Sequence, residues 1–264
     1  MPQPGAARGH TSWQWKLHSQ VVQLLGILSI ALCGLSWKNR SKSGQSPLLP
    51  TLLLGLMLFL AVFGIWAFYH LPRPVIVSVH LAGGIAMLVL LIWIALSQIS
   101  AGAIDAEKAQ NCRVFSLLGL TLLLVQVMLG GWVSSNFAAN ACTDFPLCKG
   151  HLVPPMDFSY HFNSFDTPLS VGQLTAIHWM HRLGAILTAI YLCWVAVKVL
   201  AIEGLQNIGK IILGLVIFQF VLGASNVLLG LPLAGAVLHN AMAMLLLSAL
   251  VLLSFRIRKS AGRA

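Results

Sequence analysis

The sequence predicts an all-α, polytopic membrane protein with about seven transmembrane helices. Three observations predict it: too little charge for a soluble surface, seven apolar runs long enough to cross a bilayer, and basic residues gathered in alternate loops. Of the 264 residues, 58% are hydrophobic and only 8% charged, against about 25% charged in an ordinary soluble domain. A bilayer accepts the apolar exterior that water rejects, so membrane lipid is the first partner expected. The formal net charge of +10 would suit a nucleic-acid partner in a soluble chain. Here the Lys and Arg residues sit in short loops between apolar runs, where they set orientation, and no nucleic-acid motif accompanies them.

A helix needs about 20 apolar residues to cross the hydrocarbon core. Such runs lie at about 18–36, 50–69, 75–97, 114–134, 177–199, 209–229 and 234–255, with Pro47, Pro50, Pro72, Pro74 and Pro232 at the breaks. Lys38, Arg40 and Lys42 follow the first run, Lys108 and Arg113 the third, and Lys198 and Lys210 the fifth. Arg256, Arg258, Lys259 and Arg263 follow the last. This bias places those loops and the C-terminus in the cytoplasm of a cell inner-membrane protein. The long loop 135–176, with Asp144, Asp157 and Asp166, then faces the periplasm. Segment 1–17 also falls outside, although Arg8 and Lys16 oppose its translocation; an eighth span upstream is expected to relieve that conflict. No cleavable signal peptide is evident in the first 17 residues.

The chain repeats itself. Gly64 to His80 reads GIWAFYHLPRPVIVSVH, and Gly223 to His239 reads GASNVLLGLPLAGAVLH. Each has a glycine late in one helix, a Leu-Pro turn, and a histidine early in the next. Each also follows a helix with a histidine near its start, His18 or His181. The organisation expected is an N-terminal bundle, 18–113, that is incomplete, and a C-terminal four-helix bundle, 114–264.

His18, His80, His181 and His239 fall near the same end of spans one, three, five and seven, which run in one direction. An ionisable residue inside a span is costly and marks a functional site by default. Neutral imidazole is a common axial ligand of haem iron, and one histidine from each of two helices can clamp a haem in a bundle. The pairs would be His18 with His80 and His181 with His239. Any one of them alone is as consistent with a histidine satisfied by a carbonyl or an interfacial water; four in a repeated pattern favour the ligand reading. His178 shares a helix face with His181 and suits either the cofactor edge or a plain interfacial role. His10, His70, His151 and His161 read as solvated.

Cys33 and Cys193 lie in apolar runs and read as ordinary packing residues. Cys142 and Cys148 lie in the long outer loop, on the oxidising side, where a disulfide is the natural reading. Metal ligation with His151, or a catalytic thiol pair, are the alternatives. The aromatic residues Trp132, Phe137, Phe145 and Phe158 suit a lid at the membrane surface.

The motifs GGWVSSN at 130–136, ACTDFPLCKG at 141–150, PPMDF at 154–158, HWMHRLGA at 178–185 and LPLAGAVLHNA at 231–241 resemble the haem A synthase family of cytochrome oxidase assembly proteins. The resemblance covers nearly the whole chain from about residue 18. It implies two pseudo-symmetric four-helix halves. It implies a b-type haem held by His181 and His239 and a substrate haem O at His18 and His80; Arg182 and His178, beside His181, are the further candidate cofactor contacts, with an interfacial role left open for His178. The implied reaction oxidises one methyl group of haem O to a formyl group by successive hydroxylations. Implied partners are haem O synthase, the cytochrome oxidase assembly pathway and an electron donor; a homo-oligomer is left open. The family's first helix is absent from this sequence. Its glutamate three residues before the first histidine is Trp15 here, and the following arginine is Ser19, whereas Arg182 is retained in the second half. The runner-up function is therefore a non-catalytic haem-b-binding membrane protein of the same descent. An unrelated dihaem cytochrome does not require the ACTDFPLC loop, and no midplane charge points to a transporter.

Overall fold

The computed structural model describes residues 13–43, 46–69, 74–99, 102–159 and 169–261. His10, His70, His161, Arg8, Pro72 and Asp166 lie outside the described residues, as does the side chain of Trp15. The helices are α1 (Trp13–Lys38), α2 (Arg40–Ser43), α3 (Leu48–Tyr69), α4 (Pro74–Ser97), α5 (Ala106–Asn111), α6 (Arg113–Ser135), α7 (Val171–Leu200), α8 (Gln206–Leu228) and α9 (Leu233–Ala261). Seven of them are long and apolar enough to cross a membrane, and they coincide with the seven runs read from the sequence.

The helix ends differ from the apolar runs for local reasons. α1 begins at Trp13, so it takes in Lys16 and Leu17, which the sequence had placed in an outer segment ending at residue 17. α7 begins at Val171, six residues before the apolar run. Ser170 caps it: its hydroxyl accepts from the Gln173 N–H (3.2 Å) and Gln173 Oε1 accepts from the Ser170 N–H (2.8 Å). α9 continues past residue 255 to Ala261, with Arg258 and Lys259 complementing its carbonyl end.

The second half is a closed ring. α6 packs on α7, α7 on α8, α8 on α9, and α9 back on α6. The first half is a row: α1 packs on α3 and α3 on α4. α4 joins the halves by packing against both α6 and α9. The buried core sits in the ring. Leu192, Val195, Ala196 and Val199 of α7 form one stripe, Ile208, Ile212 and Val216 of α8 a second, and Leu246, Leu250, Leu253 and Ile257 of α9 a third. Their three- and four-residue spacing puts each stripe on one helix face. Lipid tails are as apolar as these side chains, so close van der Waals packing holds the ring. Gly209 shows how close: a Cβ there would stand 3.1 Å from the Ala196 carbonyl oxygen. α1, by contrast, leaves Leu17, Val21, Leu24 and Leu28 exposed.

At the end of the bundle opposite the long loop, α5 ties the halves together. Asp105 caps it by accepting from the Lys108 N–H (3.1 Å). Gln110 donates to the Ile257 carbonyl (2.8 Å), and Lys259 donates to the Ile99 carbonyl (2.9 Å).

Candidate haem site

The connectivity makes α1, α4, α7 and α9 run in one direction, each starting at the end that carries the long loop. His18 stands in the second turn of α1, His80 in the second turn of α4, His239 in the second turn of α9, and His181 in the third turn of α7. The rings of His18 and His80 lie 6.5 Å apart. His80, His181 and His239 are half-buried, whereas His18 is exposed on the open side of the first half.

Three of these rings rest against glycine. A Cβ at Gly64 would stand 3.2 Å from Cε1 of His80, one at Gly223 3.2 Å from Cε1 of His239, and one at Gly130 3.1 Å from Cε1 of His181. The Gly64–His80 and Gly223–His239 contacts repeat the same distances in the two halves, 3.2 Å to Cε1 and 3.8 Å to Nδ1. The sequence repeat is thus a repeat of site geometry: a glycine in one helix gives the Cε1 side of an imidazole on the next helix room to approach the backbone. In the first half Phe63 stacks on His80, with centroids 6.4 Å apart and the planes within 12°. Nδ1 of His80 is buried with no hydrogen-bond partner among the described residues. A neutral imidazole with an unspent nitrogen, backed by glycine and lined by aromatic and aliphatic side chains, fits a haem ligand. Among the described residues no group of three His, Cys, Asp or Glu side chains is arranged to hold a bare metal ion.

Two glutamines that the sequence reading passed over also reach these rings. Gln126 Nε2 lies 3.0 Å from Nδ1 of His181 and donates to the His181 carbonyl (2.9 Å). Gln219 Nε2 lies 3.2 Å from Nε2 of His239. Gly184, three residues after His181, leaves room for the Gln126 carbonyl oxygen, against which a Cβ would collide. The signal was available in principle: a glutamine in each of two apolar spans, one turn before a glycine.

Over the second half sits a short covalent cap. Cys142 and Cys148 form a disulfide, which spends the two thiols that metal ligation with His151 or a catalytic thiol pair would need. His151 instead pairs through its backbone with Cys148 (2.8 and 3.1 Å). The two residues between them, Lys149 and Gly150, have φ of 54° and 77°, the left-handed pair of a tight hairpin turn. Asp144 holds that turn. One carboxylate oxygen accepts from the Lys149 N–H (2.6 Å) and the other from the Gly150 N–H (2.8 Å). Lys149 Nζ reaches the buried Thr175 hydroxyl (2.9 Å), and the Trp179 indole donates to the Leu152 carbonyl (2.8 Å).

Arg182 is the centre of this cap. Its Nη1 donates to the carbonyls of Asp144 and Leu147 (both 2.8 Å), its Nη2 to that of Cys142 (2.8 Å), and its Nε to Nε2 of His178 (3.2 Å). Most of its N–H groups are therefore engaged by the loop and by His178, which is 5% exposed. One turn of α7 thus carries the loop anchor, Arg182, next in sequence to His181.

Two expectations follow for the cap. Alkylation of the unreduced, denatured chain should modify Cys33, Cys112 and Cys193 only; labelling of Cys142 or Cys148 before reduction would contradict the bridge. The Gly150 N–H, then the Lys149 N–H and the Arg182 charge, hold the Asp144 carboxyl below its ordinary value of 3.8. A depressed folded value contributes stability above the ordinary carboxylate range, and that contribution is lost as pH falls through the folded value. Trp179 fluorescence should report loosening of the cap in that acid window, and Asp144→Asn should remove the step. A wild-type acid transition identical to that of the variant would show that Asp144 carries none of it.

Three glycine-backed histidines, with His18 beside one of them, at one end of a polytopic helical bundle are compatible with a haem-handling membrane protein. Residues 9–251 match the cytochrome oxidase assembly protein family, and the chain belongs to it. It is 33% identical over 253 residues to the heme A synthase of Shewanella oneidensis, covering 92% of this chain and 76% of that protein. It is 31% identical over 189 residues to that of Caulobacter sp. (68% of this chain, 52% of that protein). It is 28% identical over 190 residues to that of Nitrosospira multiformis (69% and 52%). The chain thus spans about three quarters of the length of the first relative and about half of the other two.

Proposed function

We propose that this chain is a haem A synthase-type membrane oxidoreductase, converting the methyl group of haem O to the formyl group of haem A for cytochrome oxidase assembly. The observation that carries this is the repeated glycine-backed histidine: the same ring contact in both halves supports two similar haem places in one chain of this family. His181 and His239, in the closed ring, hold a resident b-type haem. His18 and His80, in the open row, receive the substrate haem O, and the exposure of His18 suits exchange with the lipid. A resident haem would supply redox chemistry. The protein's share is to hold the imidazoles at fixed depth, exclude water beneath the Cys142–Cys148 cap, and carry electrons away from or toward an external partner.

The cap belongs on the periplasmic side of the inner membrane, with Arg256, Arg258 and Lys259 at the cytoplasmic end; the charge bias of the loops supports this. Haem O synthase, as the supplier of substrate, and the oxidase assembly pathway are the functional partners.

A second reading, a haem-b-binding protein of the same family without turnover, is favoured by one feature. Trp15 and Ser19 stand where the family resemblance leads one to expect a carboxylate and an arginine, the groups that would handle protons at the substrate ring. Expressing the chain with a source of haem O, then extracting and identifying its haem, separates the two. Haem A or its hydroxylated precursor supports the synthase. Haem B with unchanged haem O rejects it in favour of the second reading.

A further inference from the structure

The end of the bundle opposite the long loop carries a cluster of cations that the histidine site does not use. Arg256, Arg258 and Lys259 stand in the last two turns of α9, and all three lean on α4 or the segment that follows it. Arg256 Nη2 donates to the Gly102 carbonyl (3.4 Å), and Lys259 Nζ donates to the Ile99 carbonyl (2.9 Å). The Arg258 guanidinium lies over the Trp93 ring, 5.5 Å from its centroid. Trp93 is held in turn by Phe255, edge-on at 5.2 Å. Three positive charges are thus gathered at the seam where α4 of the first half meets α9 of the ring. None of the three has a carboxylate partner among the described residues; Asp105, at the same end, pairs with Lys108 (3.0 Å). Nε of Arg256 is buried with no hydrogen-bond partner among the described residues. Arg258 is exposed and makes no hydrogen bond among them.

We propose that Arg256, Arg258 and Lys259 form a binding site for the phosphate of an anionic phospholipid at the α4–α9 seam. Orientation in the membrane requires only that basic residues lie in the loops of one side; it does not require three of them to converge on one neighbouring helix. Like charges held this close repel, and an anion among them reverses the sign of that interaction. Arginine presents planar N–H groups that match phosphate oxygens, and the buried Nε of Arg256 is a donor whose burial is costly until an acceptor reaches it. Depth identifies the anion as a lipid head group. The cations end a membrane-spanning helix and stand level with Trp93, a residue type that settles at the headgroup region. Basic pockets between spanning helices at this level take lipid head groups. Ile99, 60% exposed beside Lys259, offers the acyl chains an apolar wall. A phospholipid seated there braces the junction between the two halves, in the cytoplasmic leaflet on the orientation proposed above.

The test uses the full chain purified in a non-ionic detergent and titrated with dioleoylphosphatidylglycerol, with dioleoylphosphatidylcholine as the zwitterionic control. Native mass spectrometry follows bound lipid for wild type, Arg256→Gln, Arg258→Gln, Lys259→Gln and Lys210→Gln. Lys210 is an exposed cation near the start of α8, at the same end of the bundle. Wild type should bind phosphatidylglycerol in preference to phosphatidylcholine. Each of the three α9 variants should bind it about fivefold more weakly, and Lys210→Gln should bind it as wild type does. An equal loss in Lys210→Gln would overturn the site in favour of a diffuse positive field. Equal binding of the two lipids by wild type would overturn recognition of the anionic head group. Displacement of the lipid by inorganic phosphate at the same concentration would overturn the lipid assignment in favour of a free-anion site. Arg256→Gln and Lys259→Gln also remove contacts to the end of α4, so should they fail to fold, Arg258→Gln decides alone: unchanged phosphatidylglycerol binding in that variant overturns the proposal.

Discussion

Replacing His181 or His239 with alanine is expected to leave the purified chain without its stoichiometric retained haem. Both rings are half-buried between helices and backed by Gly130 and Gly223 at 3.1 and 3.2 Å. An alanine in either place removes the proposed iron ligand and leaves the facing glycine with nothing to pack on. His18→Ala and His80→Ala should instead leave the retained haem in place and abolish uptake of haem O, because the two pairs are carried by different helices. Absorbance spectra of the four purified variants check this. A full haem complement in both His181→Ala and His239→Ala would contradict the ligand assignment.

The second large effect is expected at Arg182. One guanidinium joins α7 to the carbonyls of Cys142, Asp144 and Leu147 and to His178. Hydrogen bonds from a charged donor contribute about 1.5–3 kcal/mol each when buried. Loss of the whole set, discounted for partial exposure, should cost the cap at least about 2 kcal/mol. Arg182→Ala should leave the disulfide intact yet free the hairpin, so that trypsin cleaves rapidly after the exposed Lys149. Arg182→Lys keeps the charge but cannot present a planar fork to three carbonyls, and should be cleaved nearly as fast as the alanine variant. Wild-type resistance in both variants would show that the cap is held by Lys149, Trp179 and the disulfide alone. Because Arg182 is next to His181, its loss should also broaden the haem spectrum without removing the haem.

What the sequence made legible, and what it did not, follows from the range of each interaction. The seven spans were readable because a helix in lipid must be apolar along its whole length, so span and composition are one signal. The four histidines were readable because an ionisable group in such a run has no bland surroundings to hide in. The disulfide was readable because Cys142 and Cys148 stand close together in a loop expected to face an oxidising compartment. The glutamines were not picked out, although each sits in a span, because an isolated amide gives no hint of which ring on another helix it will meet. Arg182 was expected at a cofactor; its engagement by the 142–147 carbonyls depends on a loop path that no local pattern predicts. The start of α7 was read six residues late because Ser170 and Gln173 cap it through polar contacts that precede the apolar run. The ring and the row became visible only in three dimensions, since the packing of α4 against both α6 and α9 joins segments far apart in the chain.

Paired histidines from parallel helices are proposed to clamp haem at the capped end of the bundle. Low-temperature EPR of the ferric, haem-loaded chain tests this most directly. A low-spin, bis-imidazole signal is expected at about one retained haem per chain, lost in His181→Ala and His239→Ala and kept in His18→Ala. A high-spin, five-coordinate signal, or a low-spin signal that survives both C-terminal substitutions, would contradict it.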